Sequence, residues 1–419
     1  MSVELSWQLI CAALVIFMTP GLAFFYGGLV KASSAISMMM LSFGSVAVVT
    51  ILYVLYGGTG IAGNGTSGGS RWFGNPFQDF GMSDLVKNVA SDDSANLFGA
   101  HAFLVAFCII TVALVSGAVA DRARFWPWML FAALFSTFVV FPTFRWIWGV
   151  DADGNFYGWL ANNVYGFGSA LDWAGGTVIH QSAGAAALAL ALVLGKRRIG
   201  FSKAAVEPHN VPLVLIGAAI LWFGWFGFNT GVHGAGEGQT SLIFINTLIA
   251  PAAALLGWIV VETLREGKAT AVGAASGIVT GLVAITPACA YLTPVWALVL
   301  GLFAGAVCVF AIDMKYKFGF DDSLDVVGIH LVAGFIGCLY VGVFGAQDLV
   351  GGGGSIVFGG SFDQFMAQLL SSLTIIVFSF AVAYAFGMLI EKTIGFRVTE
   401  DAETAGIDQV LHGEAYKFD

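Results

Sequence analysis

Two histidines lie inside apolar stretches of the sequence, and each follows an aspartate by a few residues. His180 ends the segment Asp172-Trp-Ala-Gly-Gly-Thr-Val-Ile-His180, and His330 ends the segment Asp325-Val-Val-Gly-Ile-His330. An ionisable side chain at membrane depth is costly and is therefore a candidate functional residue. Imidazoles accept and donate protons near neutral pH, so a polar or proton pathway is the chemistry that the two could share. The plainer alternative is that each histidine packs in the interior and bonds a backbone carbonyl.

The composition identifies the solvent that surrounds the chain. Hydrophobic residues make up 58% of the 419 residues and charged residues only 10%, whereas a soluble protein carries about 25% charged residues. So much apolar surface requires a lipid bilayer. The net charge of -9, without a basic patch, argues against a nucleic-acid partner. The five cysteines show no metal-ligand spacing, and we interpret them as small core residues.

Eleven stretches are long and apolar enough to be membrane helices, which need about 20 residues each. The first lacks the basic start of a signal peptide, and we therefore expect a mature helix. No separate soluble domain is visible. The stretches lie near 7–29, 34–57, 99–119, 125–148, 173–195, 211–231, 241–262, 270–292, 294–313, 325–346 and 363–390.

The distribution of basic residues predicts the orientation in the membrane. With the N-terminus outside, the external loops hold Arg71, Lys87 and Arg145, and the rest of the 17 Lys and Arg residues fall on the cytoplasmic side. Cytoplasmic loops carry such an excess of positive charge. Eleven crossings then leave the C-terminus in the cytoplasm.

These observations predict an all-α integral membrane protein with eleven transmembrane helices. Two inverted five-helix repeats, about 7–195 and about 211–346, would be followed by one additional helix at about 363–390. The two histidines fall in the fifth and tenth helices, which are equivalent positions. Transporters with inverted repeats bind substrate near the midplane, at the repeat interface. Counting residues along the helices does not by itself bring the two rings into contact. We expect a membrane domain over residues 1–394 and a cytoplasmic regulatory tail over residues 395–419.

Motifs along nearly the whole chain resemble the Amt/Mep/Rh ammonium transporters, and specifically the bacterial Amt branch. A single motif of this kind would be weak, but the ordered set is specific. It comprises Asp172 to His180 continuing through Gly195-Lys196-Arg197, Ile220-Leu-Trp-Phe-Gly-Trp-Phe-Gly-Phe-Asn229, Thr286-Pro-Ala-Cys289, Asp321-Asp322 with Asp325 to His330, Gly117-Ala-Val-Ala-Asp-Arg122, Met18-Thr-Pro-Gly21 through Phe25-Tyr-Gly-Gly28, and the tail motifs Gly395-Phe-Arg-Val398, Gly406-Ile-Asp408 and His412-Gly-Glu414.

The resemblance implies a homotrimer in the cell inner membrane, with a narrow pore through each subunit. It implies an aromatic external vestibule for ammonium, a gate of stacked phenylalanines, and twin histidines beyond the gate that share a hydrogen bond. Asp172 would lie on the outer side without touching the substrate. By position, the residues of this pathway are Trp148, Phe103, Phe107, Phe228, Asp172, His180, His330, Trp225, Ser276 and Thr286.

Several of these residues also have plainer interpretations. Asp172 could cap its helix, and Trp148 alone would fit an interfacial belt. Among 37 phenylalanines, core or lipid packing is the usual role of any one of them. Ser276 and Thr286 could serve packing and hydrogen bonding.

The sequence departs from the family's pattern at two positions. A serine is common in the vestibule three positions after Asn229, where this chain has Val232, and a glutamine is common after Phe103, where it has Leu104. The first change removes an expected hydrogen-bond acceptor for the recruited ion. The connection from Trp148 to Asp172 is also long, which leaves Trp159 as a local alternative to Trp148.

Three classes of function follow from the sequence. The first is an ammonium transporter, regulated by a PII-type signalling protein at its cytoplasmic face as the family resemblance implies. The second is an ammonium sensor, which the lack of an added output domain argues against. The third is an enzyme or metal-handling protein, which finds no cluster of ligands and no nucleophile–base arrangement in the sequence. We expect no cofactor and no metal.

Overall fold

The computed structural model describes residues 2–63, 70–87, 89–149, 157–198, 201–202, 207–232, 234–350 and 354–416. Three parts of the sequence-based predictions lie outside these ranges, namely Lys203, residues 150–156 of the connection after Trp148, and residues 417–419 of the tail. The described residues form helices, turns and irregular segments, and an isolated antiparallel bridge joins Ala123 to Arg397. The predicted all-α class is therefore confirmed.

The α-helices are numbered in chain order. They are α1 (Val3–Leu29), α2 (Ala35–Leu52), α3 (Ser83–Lys87), α4 (Asp92–Val115), α5 (Phe125–Phe135), α6 (Phe141–Trp148), α7 (Ser182–Leu194), α8 (Val211–Thr230), α9 (Glu237–Glu266), α10 (Ala271–Ile285), α11 (Pro294–Ala311), α12 (Met314–Phe318), α13 (Val332–Phe344), α14 (Gln347–Val350), α15 (Asp363–Thr393), α16 (Glu400–Ala405) and α17 (Ile407–His412).

Ten helical segments of the described residues are long and apolar enough to cross a membrane, and each overlaps a predicted stretch. The eighth predicted stretch, 270–292, extends beyond the helix that the structure shows there. Its helix, α10, has 15 residues and ends at Ile285, and turns follow it. Pro287 has no N–H with which to continue the helical hydrogen bonding.

The long helices pack side by side around the two segments that carry the histidines. Helix α1 packs against α8 and α4, and α9 packs against α10 and α11. The last long helix, α15, lies against α7 and α13. It therefore contacts both of the helices that continue from the histidine segments.

Each histidine lies in a wide π-helical turn that leads into an α-helix. His180 is in the turn Gly176–Gln181 before α7, and His330 is in the turn Val327–Leu331 before α13. An extra residue per turn of this kind is rare and often marks a functional site.

A glycine four residues after each histidine lets these two segments approach. A Cβ on Gly184 would lie 2.6 Å from the backbone nitrogen of Leu331. A Cβ on Gly334 would lie 2.9 Å from the Gly176 carbonyl oxygen and 3.1 Å from the His180 Cβ. Only a residue without a side chain fits at Gly184 unless the backbone shifts.

Candidate functional site

The two histidine rings meet in the interior. The Nδ1 atoms of His180 and His330 are 3.2 Å apart, and the ring planes are inclined by 26°. Both residues are buried. A hydrogen bond between two Nδ1 atoms requires one to donate and the other to accept, so the neutral rings adopt different tautomers. The arrangement holds one proton on a line between two bases.

Asp172 fixes the turn that carries His180. Its buried carboxylate accepts hydrogen bonds from the backbone N–H groups of Gly175 at 3.0 Å, Gly176 at 2.5 Å and Thr177 at 2.8 Å, and also from the Thr177 hydroxyl. These donors at the start of a helical segment have no carbonyl partner within it. Asp172 is therefore a structural cap, as its plainer interpretation holds.

The residue equivalent to Asp172 in the second segment is Asp322 and not Asp325. The Asp322 carboxylate accepts from the Val327 N–H at 2.7 Å, and Asp322 precedes His330 by the same eight residues that separate Asp172 from His180. Asp325 instead adopts a left-handed backbone with φ 63° and pairs with Lys315 at 2.6 Å. The aspartate nearest to His330 in sequence, Asp325, is therefore not the counterpart of Asp172.

A row of aromatic rings leads to the histidines. Phe107 and Phe228 stack with ring centres 4.1 Å apart and planes inclined by 23°, and both are buried. Phe103 lies 4.4 Å from Phe107 on the same helix. Trp148 lies 6.0 Å from Phe107, while His180 lies 6.1 Å from Phe228. These contacts order the side chains from Trp148 through the stacked pair to the histidines.

Trp148 also bonds directly to the segment that carries His180. Its indole N–H donates to the Asp172 carbonyl oxygen at 2.9 Å. The alternative tryptophan, Trp159, lies elsewhere, 4.1 Å from Trp72 and in a separate aromatic cluster. Trp148 is thus the one of the two that borders Phe107.

Two of the remaining predicted residues, Trp225 and Thr286, lie beside the row. The Trp225 ring is 5.4 Å from that of His180, and its N–H donates to the Thr286 hydroxyl at 2.8 Å. Thr286 in turn donates to the Leu282 carbonyl at 2.7 Å, so it anchors the indole. Ser276 is buried on α10, three residues before Val279.

A narrow cavity follows the stacked phenylalanines. Phe228, Trp225 and both histidines line it, and its volume of about 10 Å³ accommodates one water-sized molecule. Most of the other residues that line the cavity were not predicted, because apolar residues occur throughout the sequence and no pattern distinguishes those that face the cavity. Those lining residues are Met18, Leu22, Phe25, Tyr26, Ile110, Leu114, Leu221, Val279, Leu324 and Ile329.

A buried ionic cluster near the tail joins distant parts of the chain. Arg122 and Arg197 both pair with Asp321, at 3.3 Å and 2.9 Å. Burial alone would raise the pKa of Asp321, but the charges of Arg122 and Arg197 outweigh it and hold that pKa below its usual value of 3.8. Burial lowers the pKa of Arg122 to about 10, against the opposing charge of Asp321. The cluster is a structural link between the two histidine-bearing parts of the chain.

The tail docks on the same end of the molecule. Arg397 pairs with Glu403 at 2.7 Å and donates to the Leu194 carbonyl at the end of α7. The Asp408 carboxylate accepts from the N–H groups of Ile36 and Ser37 at the start of α2. The tail therefore contacts the first helices of the chain and the helix that follows His180.

A bundle of helices apolar enough to cross a membrane, with a buried cavity one small molecule wide that two paired imidazoles help to line, has the form of a transporter for a small solute. The chain belongs to the Ammonium Transporter Family, whose sequence model matches residues 6–417. Members of this family are transporters and not enzymes.

Relatives of the chain bear the same description. An ammonium transporter of Mycobacterium tuberculosis is 44% identical over 99% of this chain and 90% of its own length. One of Bacillus subtilis is 39% identical over 96% of each. Among solved structures, Candida albicans Mep2 has a TM-score of 0.82 at 31% identity, covering 95% of this chain and 86% of its own. A structure titled "Sensor Amt Protein" has a TM-score of 0.87 at 26% identity and covers 98% of both chains.

Proposed function

We propose that ammonium reaches the cavity along the row from Trp148 to His330. It is recruited at Trp148, loses a proton near the stacked pair of Phe107 and Phe228, and continues as ammonia past the histidines while the proton moves separately. The observation that carries this proposal is the uninterrupted sequence of ring contacts that ends on the His180–His330 pair.

Physical chemistry favours deprotonation at the stacked phenylalanines. A cation over an indole gains about 0.5–2 kcal/mol, which helps recruitment but does not distinguish ammonium from potassium. Phenylalanine side chains offer no polar partner, and carrying a full charge between them would cost many kcal/mol. Neutralising the ion is the cheaper route. A potassium ion has no proton to give and would be rejected.

The histidine pair suits the transfer of the released proton. Two coupled imidazoles hold at most one added proton between them. Among the described residues, His180 Nε2 has no protein partner and is therefore available to exchange a proton on the side away from His330.

The expected architecture is part of the proposal. Eleven crossings would form two inverted five-helix repeats, about 7–195 and 211–346, with α15 as the additional helix, an external N-terminus and a cytoplasmic tail at 395–419 after a membrane domain at 1–394. Two pairs at equal distance from the histidines, Asp172 with Asp322 and Gly184 with Gly334, support the repeat.

Assembly and regulation extend the proposal. Membership of the family supports a homotrimer, as the sequence resemblance implies, and the bacterial relatives support the cell inner membrane. The tail contacts of Arg397 and Asp408 would place a surface for a PII-type protein near the cytoplasmic end.

A sensor is the second candidate, because a protein titled as a sensor has the same fold. Removing residues 395–419 tests the distinction. A transporter should still conduct ammonium without its tail, whereas a sensor should bind ammonium without net transport whether or not the tail is present.

Ammonium and potassium concentration jumps on proteoliposomes of the intact chain test the transport proposal. We expect a current or alkalinisation with ammonium and none with potassium. Equal responses to the two ions would contradict deprotonation at the gate, and no response to ammonium would favour the sensor.

A further inference from the structure

Helix α15 carries a buried amide side chain whose hydrogen-bonding groups are all used. Gln368 is fully buried. Its Oε1 accepts from the Leu171 N–H at 2.7 Å and from the Gln364 side chain at 3.2 Å. Its Nε2 donates to the carbonyls of Leu171 at 2.7 Å and Cys338 at 3.1 Å. A carboxamide offers two donor hydrogens and two acceptor lone pairs, so none is left over.

The Gln368 side chain contacts both backbone groups of Leu171, its N–H and its C=O. A carboxamide that pairs with the N–H and C=O of one residue fixes the position and the orientation of that residue, much as a neighbouring strand would. The pairing also fixes which atom of the amide is nitrogen, because the two backbone groups need opposite partners. Leu171 lies in a loop with no regular structure of its own, so this side chain supplies the order that a helix would otherwise give.

The residue after Leu171 is the one on which the site depends. The Asp172 carbonyl accepts the Trp148 indole N–H, and the Asp172 carboxylate caps the turn that carries His180. A movement of the Leu171 backbone would therefore reach both ends of the aromatic row. The second contact, to Cys338, links Gln368 to α13, which continues from the His330 turn.

We propose that Gln368 is a positioning residue of the transport pathway, which holds the Leu171–Asp172 backbone in register with Trp148 and the histidines. Helix α15, outside the two proposed five-helix repeats, would then act on the pathway through the Gln368 side chain, in addition to the hydrogen bond that the Ser372 hydroxyl accepts from Gln181. The inference rests on the proposed function only in taking the row from Trp148 to His330 as the route of the substrate.

Two variants test it, with a control on the same helix. Gln368→Leu removes all four hydrogen bonds. Gln368→Glu has the same shape and keeps an acceptor for Leu171, but an ionised carboxylate cannot donate to either carbonyl. Ser371→Ala is the control, because the Ser371 hydroxyl bonds the Gln368 carbonyl within α15 at 3.1 Å.

The first readout is the ammonium concentration that gives half-maximal current. The maximal current is measured as well and is divided by the amount of correctly folded protein. We expect both Gln368 variants to raise that concentration about tenfold at neutral pH, which corresponds to roughly 1.4 kcal/mol. We expect Ser371→Ala to stay near the intact chain. On acidification the introduced carboxyl of Gln368→Glu gains a proton to donate. The half-saturating ammonium concentration of Gln368→Glu, divided by that of the intact chain, should therefore fall. The same ratio for Gln368→Leu should not fall. Asp172 and His180 are present in the intact chain and in every variant, so each variant is compared with the intact chain at the same pH.

The second readout does not depend on transport. With 5-fluorotryptophan incorporated, the 19F resonance of Trp148 is assigned by its loss in Trp148→Phe. It should shift in both Gln368 variants and remain in place in Ser371→Ala.

Unchanged half-saturation and an unchanged Trp148 resonance in folded Gln368 variants would overturn the inference. If Gln368→Leu does not fold, Gln368→Glu decides alone, and a defect that acidification does not reverse counts against positioning. If the intact chain carries no ammonium current, the proposed function fails, and the Trp148 resonance still decides the role of Gln368.

Discussion

Replacing Gly184 by alanine should separate the two histidines without altering either ring. The added Cβ would lie 2.6 Å from the Leu331 backbone nitrogen, whereas ordinary contacts begin at 3.4 Å. The neighbour is backbone and cannot rotate away, so the two segments must part by about 0.8 Å, the difference between these distances. Leu331 directly follows His330. If the whole shift is passed on, the Nδ1–Nδ1 distance grows from 3.2 Å to about 4.0 Å, which exceeds the range of a hydrogen bond.

The assay for this variant is the ammonium-driven current in proteoliposomes, together with the melting temperature in detergent. Forced contacts of this kind cost about 1–3 kcal/mol of stability, so the protein should fold but melt earlier. The current per folded protein should fall well below that of the intact chain because the proton can no longer pass between the rings.

The control is Gly238→Ala, which adds the same methyl group in a helix where nothing lies within 4 Å. It should leave the current unchanged and should not lower the melting temperature, because alanine favours a helix over glycine. A folded Gly184→Ala protein with full ammonium current would refute the reasoning that close helix contact sets the distance between the histidines.

Three further outcomes follow from contacts around the row. Phe228→Ala should admit hydrated cations and produce a potassium current that the intact chain lacks, measured by a potassium jump. Thr286→Val should leave the buried Trp225 N–H without its acceptor, lowering stability by about 1–3 kcal/mol and reducing the ammonium current, as read from melting and transport together. Asp321→Asn should cost about 3–5 kcal/mol, because Arg122 keeps a buried charge without its partner; in the intact chain the stabilisation by this pair should be present above about pH 4 and be lost as pH falls below 3.8, through the lowered pKa of Asp321. An unchanged melting temperature of Asp321→Asn at neutral pH would contradict that assignment.

Hydropathy predicts the membrane segments well because each is a local property of about 20 residues. Every predicted stretch overlaps a helix of the structure. The errors occur where a single residue changes the local geometry. Pro287 ends α10 early, and π turns begin the two histidine segments at Gly176 and Val327. An α-helical turn and a π turn can have the same pattern of apolar residues, so hydropathy does not reveal the π turns.

The site required more than patterns. Residue counting did not by itself bring the two histidine rings together, because their contact joins residues 150 positions apart in sequence, which no local signal reports. The family resemblance supplied the expected row, whereas Asp322, Gly184 and Gln368 were not singled out as site residues. Each of these three residues acts by contact with backbone groups. Every residue has such groups, so the amino-acid sequence does not indicate which of them will be contacted.

Current measurements on His180→Ala, His330→Ala and the double variant test the central claim most directly. Proteoliposomes receive an ammonium jump and, separately, a potassium jump. If a proton crosses along the two rings, each single variant should lose the ammonium current, and the double variant should lose either the current or its selectivity over potassium. A double variant that folds, carries the full ammonium current and still excludes potassium would contradict a pathway through these histidines.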